Sequence, residues 1–170
     1  MPVVEETRVL IATAVWLLQR GPVPYRFSVA RGKGINTSEI LGALSNAYKS
    51  LGTQPAFSSV GADVEALSDT EWWRVECKGT GIGKSQTQRN NFDRALSSAV
   101  TYFEEPPYSI CAAHPNARLF LGLALPASPE YTRELRRRVR PPLRKCLNLW
   151  VLLYEHDNHN IRAVAPSEEI

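Results

Sequence analysis

Gly61-Ala62-Asp63-Val64-Glu65-Ala66-Leu67 and Trp73-Arg74-Val75-Glu76-Cys77-Lys78-Gly79 are two short runs in which apolar and charged residues alternate. Such alternation predicts strands, here about Ala56 to Leu67 and Glu71 to Gly79. Between them Ser68-Asp69-Thr70 supplies the short polar side chains of a tight turn, so the pair reads as a β-hairpin. Successive side chains on a strand point to opposite faces, so Glu76 and Lys78 share one face while Trp73, Val75 and Cys77 take the other. Asp63 and Glu65 likewise stand opposite Val64 and Ala66. One side of the hairpin is thus apolar and available to a core, and the other gathers three carboxylates and an amine.

Outward from the hairpin, helical and strand patterns alternate. Before it, Val3 to Arg20 reads as a buried helix stopped at Gly21-Pro22, Tyr25 to Ala30 as a short strand, and Arg31-Gly-Lys-Gly34 as a basic loop. Asn36 is placed to cap a second helix with Glu39 three residues on, and Ile40, Leu44, Tyr48 and Leu51 recur at helical spacing before Gly52. After it, Ser85 with Gln88 begins a helix whose Phe92, Ala95, Leu96, Ala99, Val100 and Phe103 line one face, ended by Pro106-Pro107. Arg118 to Leu125 is a strand, Ser128-Pro129 opens a helix that Pro141-Pro142 should stop, and Leu149 to Tyr154 and Ile161 to Val164 are two last strands. With 170 residues, no repeat and no linker, the chain suits a single α/β domain, 1–170.

An Asp on the first strand of a hairpin, with Glu-x-Lys about a dozen residues later on the second, resembles the PD-(D/E)XK nuclease superfamily. Asp63, Glu76 and Lys78 carry the resemblance, and Ala62 stands where the family name has proline. It implies a restriction-endonuclease-like three-layer fold with a central mixed sheet flanked by helices. The core would run over about 36–155, with the helix and strand of 3–30 as an extension. It also implies a magnesium- or manganese-dependent endo- or exonuclease hydrolysing phosphodiester bonds, in DNA ahead of RNA. Asp63, Glu76 and the Cys77 backbone carbonyl would hold the metal, because magnesium prefers hard oxygen ligands in octahedral array. Glu65 and Glu39 are further candidate ligands. Lys78 would orient the attacking water and place positive charge where the phosphorane develops, and Gln88 matches a second catalytic position. Crowded carboxylates repel, so Asp63→Ala or Glu76→Ala is expected to fold at least as well as the parent without metal. The competing reading is an inert nucleic-acid-binding or scaffold module of this fold, with paired charges on a solvated strand face.

Other signals are weaker. Gly79-Thr-Gly-Ile-Gly-Lys84-Ser85 lies between strand and helix and ends like a nucleotide-cradling loop, but the glycine needed five residues before Gly83 is Lys78. Arg133, Arg136, Arg137, Arg138, Arg140, Arg144 and Lys145 crowd the helix after Ser128 and the segment beyond it. Arg136, Arg137 and Arg140, with Arg74 and Lys84, are candidate nucleic-acid contacts, against the plainer reading of a solvated helix face. His156 and His159 read as turn residues without metal partners. Of Trp72 and Trp73, on opposite sides of a strand, one should be core and the other border the cleft. The net charge of +3 permits a nucleic-acid partner without demanding one. Three scattered cysteines, an apolar run of Val9 to Leu18 too short to span a bilayer, and Glu5 and Glu6 where a signal peptide would be basic predict a reduced, cytoplasmic protein. No membrane partner is expected, and a homodimer is compatible with the apolar first helix.

Overall fold

The computed structural model describes residues 3–29, 35–80 and 85–170, with the backbone alone for Ser85 and Gln86. The basic loop at 31–34 and residues 81–84, which include Lys84, lie outside the described residues. One mixed seven-stranded sheet runs through the molecule in the order β2-β1-β3-β4-β5-β6-β7, with helices on both faces. The strands are β1 (Val23–Ser28), β2 (Ala56–Ser58), β3 (Val64–Leu67), β4 (Glu71–Cys77), β5 (Arg118–Pro126), β6 (Leu149–Glu155) and β7 (Asn160–Val164). The helices are α1 (Glu6–Arg20), α2 (Thr37–Leu51), α3 (Ser85–Thr101), α4 (Tyr108–Ala113), α5 (Pro129–Arg138) and α6 (Pro141–Leu147).

The hairpin forms as its alternation predicts: β3 and β4 are antiparallel, with Val64 opposite Val75 and Glu65 opposite Arg74. The turn works through Ser68, whose Oγ accepts from the Glu71 N–H at 3.1 Å while its own N–H donates to the Glu71 carbonyl at 2.9 Å. Val64, Ala66, Trp73, Val75 and Cys77 pack under α1 and α2. On the other face Leu121, Leu123, Leu125, Val151 and Leu153 pack under Phe92, Ala95 and Ala99 of α3 and Tyr131 and Leu135 of α5. β4, β5 and β6 are mutually parallel, so Cys77, Pro126 and Glu155 end at the same edge of the sheet.

Several boundaries differ from expectation for identifiable reasons. The strand predicted over Ala56 to Leu67 is two: Gly61, at φ +99°, turns the chain, and β2 leaves the hairpin to run parallel to β1. Pro141 does not end a helix but begins α6, because a residue without an N–H is tolerated in a first turn, while α5 already stops at Arg138. Val100 and Phe103 are exposed, since α3 ends at Thr101 and its buried stripe holds only Phe92, Ala95 and Ala99. α1 and β1 belong to the sheet and its core and do not stand outside a core of 36–155: β1 pairs with both β2 and β3, and α1 supplies Val9, Leu10, Ala14 and Leu17 to the core. Among the described residues no helix is long and apolar enough to cross a membrane.

Candidate active site at the end of strand β4

β3 begins at Val64, so the β3–β4 ladder ends before Cys77 and leaves the Cys77 N–H without a strand partner. A buried amide in that position needs an acceptor, and the Asp63 carboxylate provides it: Oδ2 accepts from the Cys77 N–H at 2.8 Å. The Asp63 carbonyl in turn accepts from Ser28 N–H at 3.1 Å, which ties this residue to β1. Its side chain is 0 % exposed. One residue past β4, the Lys78 N–H donates to the Ala124 carbonyl of β5 at 3.0 Å, so both flanking strands fix this end of β4.

The Lys78 ammonium is the centre of the site. Its Nζ lies 3.0 Å from Glu76 Oε1, 3.9 Å from Asp63 Oδ2, 3.4 Å from both carboxylate oxygens of Glu6, and 3.0 Å from the Cys77 carbonyl oxygen. Burial pulls its pKa down, but the carboxylates of Asp63, Glu76 and Glu6 outweigh that and hold it above the ordinary lysine value. Glu76 is fixed from its other side by Tyr102, just beyond α3, whose hydroxyl donates to Oε2 at 2.7 Å and also reaches the Gly61 carbonyl at 3.2 Å. Burial first, then the Glu76 charge, push the Tyr102 phenol well above its usual range, which keeps it a donor. The Cys77 thiol, on the opposite face, is raised by burial and by Asp63 and stays an inert core group.

Glu6 was not singled out from sequence. It opens α1, and Gly79 is what brings it here: a Cβ at Gly79 would stand 2.7 Å from the Glu6 nitrogen and closer still to the Val4 carbonyl oxygen. Thr80 completes the junction, donating its N–H to the Val4 carbonyl at 2.9 Å and accepting from the Val4 N–H at 2.6 Å on Oγ1. Two acidic residues heading a helix with an apolar middle were the available signal. Tyr102 carried none, since a lone tyrosine before a proline-rich loop has no pattern.

The other predicted residues fall elsewhere. Glu65 is buried and engaged by Tyr25 (2.6 Å), Arg26 and Arg74 (3.6 Å), which removes it from the Lys78 cluster. Arg74, only 7 % exposed, is a correction to its expected place on a nucleic-acid surface. It pairs with Glu65 and Glu104, donates to the Tyr102 carbonyl at 3.2 Å, and lies over the rings of Trp72 and Tyr102. Trp72 and Trp73 are both buried, so neither borders a cleft. Glu39 is exposed on α2 beside Arg8 and His159, away from Lys78; the Asn36 N–H it was to cap donates to Thr7 Oγ1 at 3.4 Å instead. Gln88 makes no hydrogen bond to the cluster, and its Oε1 is buried without a partner among the described residues. Arg144 is buried against the Ala165 and Glu168 carbonyls, whereas Arg136, Arg137 and Arg140 are exposed.

The donor set is entirely hard oxygen: three carboxylates and one carbonyl within 3.9 Å of a single cationic point. That chemistry fits magnesium or manganese. Among the described residues no group of three or more His, Cys, Asp or Glu side chains is already gathered as a metal shell; the positive charge between these carboxylates is the ammonium. Comparison with known proteins adds no assignment: no family model matches the chain, and no curated protein or solved structure matches it.

Proposed function

We propose that the chain is a metal-dependent nuclease of restriction-endonuclease-like fold, hydrolysing phosphodiester bonds in DNA. The observation that carries this reading is the convergence of Asp63, Glu76, the Cys77 carbonyl and Lys78 at the carboxyl end of a central strand, where open α/β sheets bind their ligands. The order after the hairpin is α3, α4, β5, α5, α6 and β6, which contains the helix, strand, helix and strand of the PD-(D/E)XK resemblance with two short helices added.

Asp63, Glu76 and the Cys77 carbonyl would hold a divalent ion, with Glu6 as a further carboxylate at the opening of the site. Bound there, such an ion acidifies a water and neutralises charge on the scissile phosphate. The chain's own residues do the rest. Asp63 and Glu76 are held in place by the Cys77 N–H and Tyr102, so an ion would enter by displacing the Lys78 ammonium from between them while the carboxylates stay where they are. Lys78 stays protonated and keeps its charge beside the phosphate oxygens as the water oxygen bonds to phosphorus and the ester P–O bond breaks. The products are a phosphomonoester and an alcohol.

The second reading, an inert module of the same fold, is favoured by one observation: Lys78 already compensates the carboxylates without metal. Incubation of purified protein with single- and double-stranded DNA and with RNA in manganese separates the two. Cleavage abolished by Glu76→Gln supports the nuclease. No cleavage of any substrate, together with no divalent binding by calorimetry at millimolar concentration, leaves the inert module.

A further inference from the structure

At the end of the sheet where β4 and β5 finish, a shallow, open cleft of about 670 Å³ is lined by Arg133, Arg136 and Arg137 of α5, Arg162 of β7, and the Ala127–Ser128–Pro129 corner that leads from β5 into α5. Four guanidiniums and no carboxylate line it. Arg136 Nε donates to the Ile170 main-chain oxygen at 2.6 Å, and nearby acids offset the others only in part. Glu134 is buried and shared among Arg89, Arg137 and Arg138 at 3.6–3.9 Å, and Arg138 also takes Asp93. Glu155 pairs with Arg162 at 3.2 Å in the open, a contact that water screens. Arg133 is exposed and has no hydrogen-bond or ion-pair partner among the described residues. Basic residues in the last turn of α5 suit its dipole, but that does not account for Arg133, one turn from the start of the helix, or for Arg162 on a strand.

The cleft is fastened to the site. Lys78 N–H bonds the Ala124 carbonyl, and Ala127 follows three residues later, about 10 Å away at strand rise. Tyr131 of α5 donates to the Gly79 carbonyl at 2.9 Å, which links the start of α5 to the end of β4. A length of about 10 Å is comparable with three base steps along a duplex axis at about 3.4 Å each. We propose that this cleft binds the sugar–phosphate backbone of a polynucleotide a few nucleotides to one side of the scissile phosphate. The substrate is then a chain, not a mononucleotide ester. The choice of nucleic acid over another polyanion rests on the nuclease reading; the presence of an anion-binding cleft does not.

The test is metal-free binding of a fluorescent DNA oligonucleotide of about 20 nucleotides, followed by anisotropy across a salt series. Each lost phosphate contact lowers the slope of log K against log salt by about 0.7–0.9. The triple variant Arg133→Gln, Arg136→Gln, Arg162→Gln should lower it by roughly two and weaken binding at least about tenfold at low salt. Replacing the same three residues by lysine should restore most of the slope, and Lys49→Gln on α2 should leave it alone. An unchanged slope in the glutamine variant would overturn the proposal, whether or not the parent cleaves DNA. A polyglutamate peptide bound as tightly as the oligonucleotide, with the same loss in the variant, would also overturn it in favour of an acidic polypeptide. Cleft-dependent binding by a protein that cleaves nothing would leave the cleft standing and remove the nuclease reading alone.

Discussion

Asp63 uses one carboxylate oxygen to satisfy the Cys77 N–H and to face the Lys78 ammonium, so its removal leaves a buried amide unpaired and a largely covered cation short of one counter-charge. This reverses the expectation that thinning the carboxylates would relieve repulsion, because the charge between them is positive. Asp63→Ala should lower stability in urea by about 2–4 kcal/mol without metal. Asp63→Asn, which keeps an acceptor, should cost less while still weakening divalent binding. On the nuclease reading, Lys78→Met should lose cleavage but bind manganese more tightly than the parent in calorimetry, since three carboxylates then lack their cation; unchanged affinity would mean that Lys78 and metal do not compete. The pH dependence follows from the same contacts. Lys78 has a folded pKa above its ordinary 10.5, so the stability it draws from the carboxylates is complete below the unfolded value and is lost as pH rises through the folded one. The stability difference between parent and Lys78→Met should therefore be flat from about pH 7 to 10 and shrink above it.

At the scale of elements, the junction of α1 with Gly79 decides whether Glu6 reaches the site. Gly79→Ala should push the start of α1 away, lowering both thermal stability and divalent affinity; calorimetry of both quantities checks it, and a fall in stability alone would place Glu6 outside the metal's reach. The hairpin was legible in the sequence because period-two alternation and a Ser68 turn are local signals, and it carried Asp63, Glu76 and Lys78 with it. Helix caps were legible for the same reason, with Asn36 and Ser128 both accepting the N–H groups expected of them. Glu6 and Tyr102 were not, since each meets the hairpin only through a contact more than 20 residues distant in the chain. The charges of Glu65 and Arg74 misled for a related reason: alternation says which face a side chain takes, not whether that face meets water. Here the Tyr102 end of α3 and the side chains of Tyr25 and Arg26 cover it.

In the whole molecule β4 is the fourth of seven strands, with β3 and β5 bonded along its two edges and helices on both faces. An amide in the middle of such a sheet exchanges its proton with solvent only when the surrounding structure opens, and central strands open at free energies close to that of global unfolding. The amides of Val75, Cys77 and Lys78 should accordingly be among the slowest to take up deuterium, and those of β7 at the sheet margin and of the short α4 among the fastest. If the Cys77 amide instead exchanges ahead of global unfolding, the Asp63 contact is not a fixed part of the native state. The position of β4 also sets how the molecule fails on warming. Glu76 and Cys77 are the last two residues of this strand, so any divalent binding they support should be lost on the same time course as the sheet.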